Sequence, residues 1–397
     1  MLIKNCRVII DGEEKIIDIL AENGKIVSME EEISAETANV IDAEGNYVIP
    51  GVIDPHVHMR DPGLTHKEDF TTGSMACVKG GITLFFDMPN TVPNTITKEA
   101  LAEKKQMHAG KSYADYAFWF GGSKADNHQE VAEVQNQVIA TKVFMNVSTG
   151  NMLVEDDTVL ENIFKASKLV GVHAEGDMVK KAIELSEKCD VPVYLCHLST
   201  KEEVEYVREA KAKGLKVYGE VTPHHLFLNV EDVERNPLLR MKPELKTKED
   251  NEALWEGILD GTIDTVGTDH APHRIEEKKE KLTFGIPGAE NSLEMMLKAV
   301  RCEKISLEKL TEIMSRNAAD IFGIKNKGRL AAGYDADLVI VDMNTTEVIS
   351  GEEVISKCGW TPYEGFEKGG KILTTIVRGN VVYNDGKFIN KIGKEVI

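Results

Sequence analysis

The chain has 397 residues, 42% of them hydrophobic and 28% charged, with a formal net charge of −19. That balance is globular and free of low-complexity tracts, and so acidic a chain without a dense Lys/Arg cluster is not expected to bind nucleic acid or an anionic membrane. Its apolar runs are far shorter than a membrane span, residues 1–7 lack a signal-peptide layout, and the six cysteines form no Cys-x-x-Cys pair, so a reduced, cytoplasmic protein is expected.

Residues 1–49 read as short β segments at 2–10, 16–20, 25–29 and 40–41. Asp11-Gly12, Asn23-Gly24 and Glu44-Gly45-Asn46 punctuate them with hairpin-turn chemistry. The middle of the chain follows another rhythm. β-type runs recur at 52–54, 83–87, 116–120, 142–145, 170–172, 193–196, 217–220 and 265–268, mostly separated by helical stretches. Thr200 with Glu203 forms a capping box that Gly214 closes, and Asp177 opens a helix over 178–188. Eight strands alternating with helices predict an α/β fold, a (β/α)₈ TIM-type barrel over 50–330, finished by helices at 292–302 and 307–321. Runs at 336–342, 371–378 and 381–383 return to β character. Either end alone buries too little surface, so residues 1–49 and 331–397 are expected to pair into one small β-sandwich domain.

The barrel reading makes a test possible, because catalytic side chains of this fold sit at the C-terminal ends of the strands. His56 and His58 follow the apolar run 47–53 two residues apart, a spacing that presents both imidazoles to one side of a strand. Asn90 follows the second strand, Lys142 lies on the fourth, and His173, His197, Glu220 and Asp269 end the fifth to eighth. Packing alone would place Val, Ile or Leu there. Four histidines and an aspartate suit a divalent transition metal such as zinc. Lys142 admits two readings: a snorkelling or misplaced side chain, or an amine that burial keeps neutral and that captures carbon dioxide as a metal-bridging carbamate.

The segment Gly51-Val52-Ile53-Asp54-Pro55-His56-Val57-His58-Met59-Arg60-Asp61-Pro62-Gly63 resembles the signature of the amidohydrolase superfamily. Arginine followed by Asp-Pro-Gly resembles its dihydroorotase group among the cyclic amidohydrolases. The likeness continues through Asp87-Met88-Pro89-Asn90-Thr91, Lys142-Val143-Phe144-Met145-Asn146, His173-Ala174-Glu175, Cys196-His197-Leu198-Ser199, Glu220-Val221-Thr222-Pro223-His224-His225, Thr268-Asp269-His270-Ala271-Pro272-His273 and Gly333-Tyr334-Asp335-Ala336-Asp337.

The resemblance implies a zinc enzyme of pyrimidine biosynthesis that reversibly cyclises N-carbamoyl-L-aspartate to dihydroorotate. His56, His58 and Asp269 would hold one metal and His173 and His197 a second, with carbamylated Lys142 between them. A hydroxide bridging the metals would attack, and Asp269 would be the general acid and base. Arg60, Asn90 and His273 would grip the substrate carboxylate, with Lys242, Pro287 and Gly288 also on the substrate side. Glu220 marks a further polar or metal contact. His66, His224, His225 and His270 are not expected to be ligands. Some relatives bridge their metals with an aspartate, which makes Asp156 and Asp157 alternatives to Lys142. Residues 146–155, with Ser148-Thr149-Gly150, correspond to a mobile loop, and the charge run 274–281 reads as a solvated flank.

Enzymes that open hydantoin, dihydropyrimidine or allantoin rings are the alternative of the same class, and a superfamily barrel that serves as a scaffold without catalysis is the alternative of a different class. A homo-oligomer, or association with aspartate carbamoyltransferase, is a possible assembly.

Overall fold

The computed structural model describes residues 1–35, 37, 39–148, 151–281 and 283–397. Eight parallel strands stand side by side in chain order: Val52–Val57, Ile82–Asp87, Asp115–Gly121, Ala140–Phe144, Val170–His173, Val193–Leu195, Val217–Val221 and Thr265–Val266. Each overlaps one of the eight runs expected from sequence. Ile82–Asp87 and Asp115–Gly121 are buried at every position. Continuous apolar strands of this kind belong to a parallel sheet covered on both faces.

Alternation sorts the two faces. Leu84, Phe86, Ala117, Trp119, Ala140 and Tyr194 meet in one cluster with Phe322, whereas Phe85, Tyr116 and Phe118 join the larger core with Phe70. A period of two therefore puts Lys142 on the same side as Ala140. Gly171, paired with Lys142 across the ladder, makes room for an indole, since a Cβ there would lie 2.5 Å from the Trp119 ring.

The first and last strands share no regular ladder. His58 N–H donates to His270 O at 2.8 Å, and Thr268 donates to the Asp54 carboxylate from its N–H at 3.0 Å and its hydroxyl at 2.6 Å. The expected capping box on Lys201–Ala212 is present. The final helical run from Leu307 to Ile321 contains one wider π turn, Glu312–Arg316, from which Ser315 Oγ donates to Gly51 O at 3.0 Å.

The chain ends meet as expected. Leu338–Asp342 pairs antiparallel with Tyr47–Pro50 and with Lys371–Val377, and hydrogen bonds connect nine strands in one sheet. That sheet has a core of its own, including Ile3, Val8, Ile19, Ile26, Leu338 and Ile376. Further along the chain, Ile349, Trp360 and Tyr363 pack instead against Met241, Ile286 and Met295 beside the barrel.

A buried ion cluster ties sheet to barrel. Lys327 Nζ lies 2.8 Å from Asp115 on the third barrel strand, 2.6 Å from Asp337 and 3.1 Å from Asp335, and Arg378 also pairs with Asp115. Burial pulls the Lys327 pKa down, but Asp337 and Asp115 outweigh it and hold the ammonium charged. Lys327→Met would leave buried carboxylates short of their cation. It is expected to lower unfolding stability by roughly 3–5 kcal/mol in chemical denaturation. Lys98→Met, at an exposed pair with Glu133, should leave the midpoint unmoved. Equal behaviour of the two variants would remove the cluster from the interface.

Candidate active site

The C-terminal ends of the strands converge on one buried group of side chains. Three non-glycine residues there hold left-handed backbone: Arg60 (φ 59°), His197 (φ 41°) and Asp269 (φ 44°). Such conformations cost energy and persist where surrounding contacts enforce them, as they do at active sites. At the first strand, Asp87 Oδ1 accepts the Met59 N–H at 2.8 Å, fixing the backbone between His58 and Arg60, while Lys104 neutralises the other Asp87 oxygen at 2.6 Å.

Asp269 Oδ1 lies 3.0 Å from His58 Nε2 and 3.3 Å from His56 Nε2. The second nitrogen of each ring is held from behind. His58 Nδ1 is 2.7 Å from Asn90 Oδ1, and His56 Nδ1 is 2.8 Å from Glu220 Oε1. Burial pushes His58 down to about 4, so the neutral ring carries a single N–H to share between Asn90 Oδ1 at Nδ1 and Asp269 Oδ1 at Nε2. Burial works the same way on His56, but Glu220 overrides it and raises that ring to about 10. Burial also pushes Asp269 up, and His56 and His58 outweigh it, holding the carboxyl well below its usual range.

Glu220 is fully buried and fully engaged. Besides His56, it accepts the His197 N–H at 2.9 Å and the Tyr194 hydroxyl at 2.9 Å. The further contact expected of Glu220 is thus made to a histidine. His173 Nδ1 faces His197 Nε2 at 2.9 Å, and burial lowers both rings into the neutral form. Lys142 is fully buried, its amine 2.8 Å from Cys196 Sγ. Cys196 is not among the residues expected at the site, although it clusters with Tyr194 on the interior side.

Among the described residues, the cavity beside this group is lined by His58, Arg60, Asn90, Ser148, Lys242, Asp269, Ala271, Phe284 and Gly285. Arg60 is buried, its Nη2 3.3 Å from His273 Nε2 and its Nε donating to Pro272 O at 3.3 Å. Burial, reinforced by the Arg60 and Lys67 cations, drives His273 down to about 2. His273 therefore stands behind Arg60 as a neutral support.

The structure places the other expected residues as follows relative to this cavity. Pro287 and Gly288 are not on the cavity wall, because the chain turns earlier and presents Phe284 and Gly285; the Gly288 N–H donates instead to His270 Nδ1 at 3.1 Å. Asp156 caps the helix Asp157–Ala166, and Asp157 is exposed beside Lys181, so neither reaches the histidines. The run 274–281 is not uniformly solvated, for Lys278 is fully buried. His225 is engaged by Thr222 and Pro243 and His66 by Glu277, while His224 packs 4.7 Å from the His225 ring. Thr149 and Gly150 of the loop expected to be mobile lie outside the described residues.

Residues 47–382 match the Amidohydrolase family. The chain belongs to that family. It is 36% identical over 423 residues to the dihydroorotase of Methanosphaera stadtmanae, covering 97% of this chain and 96% of that one. It is 39% identical over 364 residues to the dihydroorotase of Pyrococcus abyssi, covering 88% and 86%. In backbone it is similar to the L-hydantoinase (dihydropyrimidinase) of Arthrobacter aurescens, with TM-score 0.95, 29% identity, and 100% and 99% of the two chains covered. It is similar too to the dihydropyrimidinase of Brevibacillus agri, with TM-score 0.90, 29% identity and coverage of 100% and 98%.

This amidohydrolase is a metal-dependent cyclic amidohydrolase, and its donors fit that chemistry. Among the described residues, the groups close enough to share an ion are His56, His197 and Asp269, and His56, Cys196 and Glu220. His197 Nδ1 is buried without a hydrogen-bond partner among those residues, and His173 Nε2 has the Glu175 carboxylate only at 3.6 Å, a weakly met demand that suits metal ligation. A carboxylate behind a ligating imidazole orients the ring and raises its basicity. Glu220→Gln is therefore expected to weaken metal binding by about 10–100-fold in chelator competition, with activity returning as metal is added. Unchanged metal affinity would mean that Glu220 does not act through His56.

Proposed function

We propose that the protein is a dihydroorotase, reversibly closing N-carbamoyl-L-aspartate to dihydroorotate and water in pyrimidine biosynthesis. The observation that carries this reading is Arg60, a buried guanidinium on the cavity wall beside Asn90 and Lys242. In a chain of net charge −19, an anionic ring needs a local cation, and the planar guanidinium fork matches a carboxylate. His56, His58 and Asp269 would hold one zinc ion, His173 and His197 a second, with Lys142, carbamylated, between them. When bound, the metals polarise the carbonyl under attack and activate water.

The protein's own groups do the rest. Arg60 and Asn90 hold the substrate carboxylate, Lys242 adds positive charge from the facing loop, and His273 braces Arg60. In ring opening, the Asp269 carboxylate takes the proton of the attacking water and delivers it to the departing ring nitrogen. In closure it takes the carbamoyl N–H proton and returns it to the leaving oxygen. Lys142 would reach its carbamate by adding its amine nitrogen to the carbon of carbon dioxide, a C–N bond forming as an N–H proton is released to solvent.

The backbone likeness to hydantoinases and dihydropyrimidinases favours a second reading, opening of rings that lack the carboxylate. The two readings separate at one residue. Arg60→Met should lower kcat/KM for dihydroorotate by roughly a hundredfold or more, the loss of a charge-assisted bidentate contact, and lower it far less for dihydrouracil. Equal losses on both rings would overturn the role given to Arg60.

A further inference from the structure

Lys278 sits in the helix Ile275–Lys281, whose sequence, IEEKKEK, is otherwise that of a solvent face. It is nevertheless fully buried. A buried ammonium persists only where its protons are met. Here they go to three backbone carbonyls: Arg240 O at 2.7 Å, Thr283 O at 2.8 Å and Gly285 O at 2.8 Å. An ammonium has three N–H donors, so the set is complete.

The carbonyls come from two separate loops. Thr283 and Gly285 flank Phe284, and Arg240 lies two residues before Lys242. The Gly285 N–H also donates to Arg240 O at 3.1 Å, and the Phe284 ring lies 5.2 Å from the Arg240 guanidinium and 5.4 Å from the Lys242 ammonium. Both loops supply the cavity wall, through Lys242 on one side and Phe284 and Gly285 on the other.

We propose that Lys278 is a positioning residue for substrate binding, a buried clamp that joins the Arg240 and Thr283–Gly285 loops and so sets Lys242 and Phe284 in the cavity shared with Arg60. Lys278 touches neither the metal donors nor the reacting atoms. Its loss should therefore appear in how well substrate is held, not in the chemical step. The anion named as the substrate rests on the dihydroorotase reading; the clamp itself does not.

The test uses full-length, metal-loaded enzyme in four forms: wild type, Lys278→Met, Lys242→Met and the double variant. Lys278→Met is expected to raise KM for dihydroorotate by about tenfold or more, with kcat within about threefold and metal content equal to wild type. Because both residues act through one wall, the double variant should be no more than about threefold worse than the worse single variant. An unchanged KM, a fall in kcat and metal content at constant KM, or losses that multiply in full would each overturn the clamp. If Lys278→Met does not fold, Lys278→Gln, which keeps two of the three donors, is read by the same criteria. A wild type that opens hydantoin or dihydrouracil but not dihydroorotate would overturn the functional reading alone, and the clamp would then be judged on KM for the ring that is opened.

Discussion

Asp54 is buried on the first barrel strand, and its carboxylate accepts the Thr268 N–H at 3.0 Å, the Thr268 hydroxyl at 2.6 Å and the His56 N–H at 3.1 Å. Burial pushes its pKa up to about 6, against the pull of the Thr268 donors. No regular ladder joins the first strand to the last, so this carboxylate and the His58 N–H bond to His270 O close the seam. The site depends on that closure, because Asp269 immediately follows Thr268 and the two ligand-type histidines lie two and four residues beyond Asp54. If the seam shifted, the shared approach of His56 and His58 to Asp269 would be lost.

A second layer holds the rings in place. Glu220 fixes His56 from Nδ1, and Asn90 fixes His58 in the same way. Asn90 also lines the cavity, so the group that fixes the His58 ring stands on the cavity wall. Arg60 is supported by a histidine that burial keeps neutral, an arrangement that leaves its charge for an incoming anion. The barrel backbone is similar to that of the L-hydantoinase and dihydropyrimidinase structures. Under the proposed dihydroorotase function, discrimination between rings would rest on the few side chains around Arg60.

Much of this was legible in the sequence because it is local. Runs of apolar residues in a parallel barrel are continuous, and polar groups at their C-terminal ends break the pattern, which is how His173, His197 and Asp269 stand out. The pairing of the chain ends followed from their incomplete burial. What stayed hidden depends on contacts far apart in the chain. Asp54 reads as part of a motif, yet its partner lies 214 residues away. Lys278 is one lysine among several in a charged helix, and only the arrival of the Arg240 loop makes it different. The family resemblance puts Pro287 and Gly288 on the substrate side, but the turn at Gly285, with φ 125°, brings Phe284 to the wall first. Asp156 was weighed as a metal bridge, and its capping of a helix is a local role that composition does not distinguish from ligation.

The proposed dihydroorotase function requires a cavity built for a ring that carries a carboxylate. The direct measurement is turnover of dihydroorotate, allantoin, hydantoin and dihydrouracil side by side by the wild-type enzyme, with metal analysis of the same sample. The account predicts bound transition metal and a kcat/KM for dihydroorotate at least about a hundredfold above the rings without a carboxylate. A metal-loaded enzyme that prefers hydantoin or dihydrouracil would contradict it.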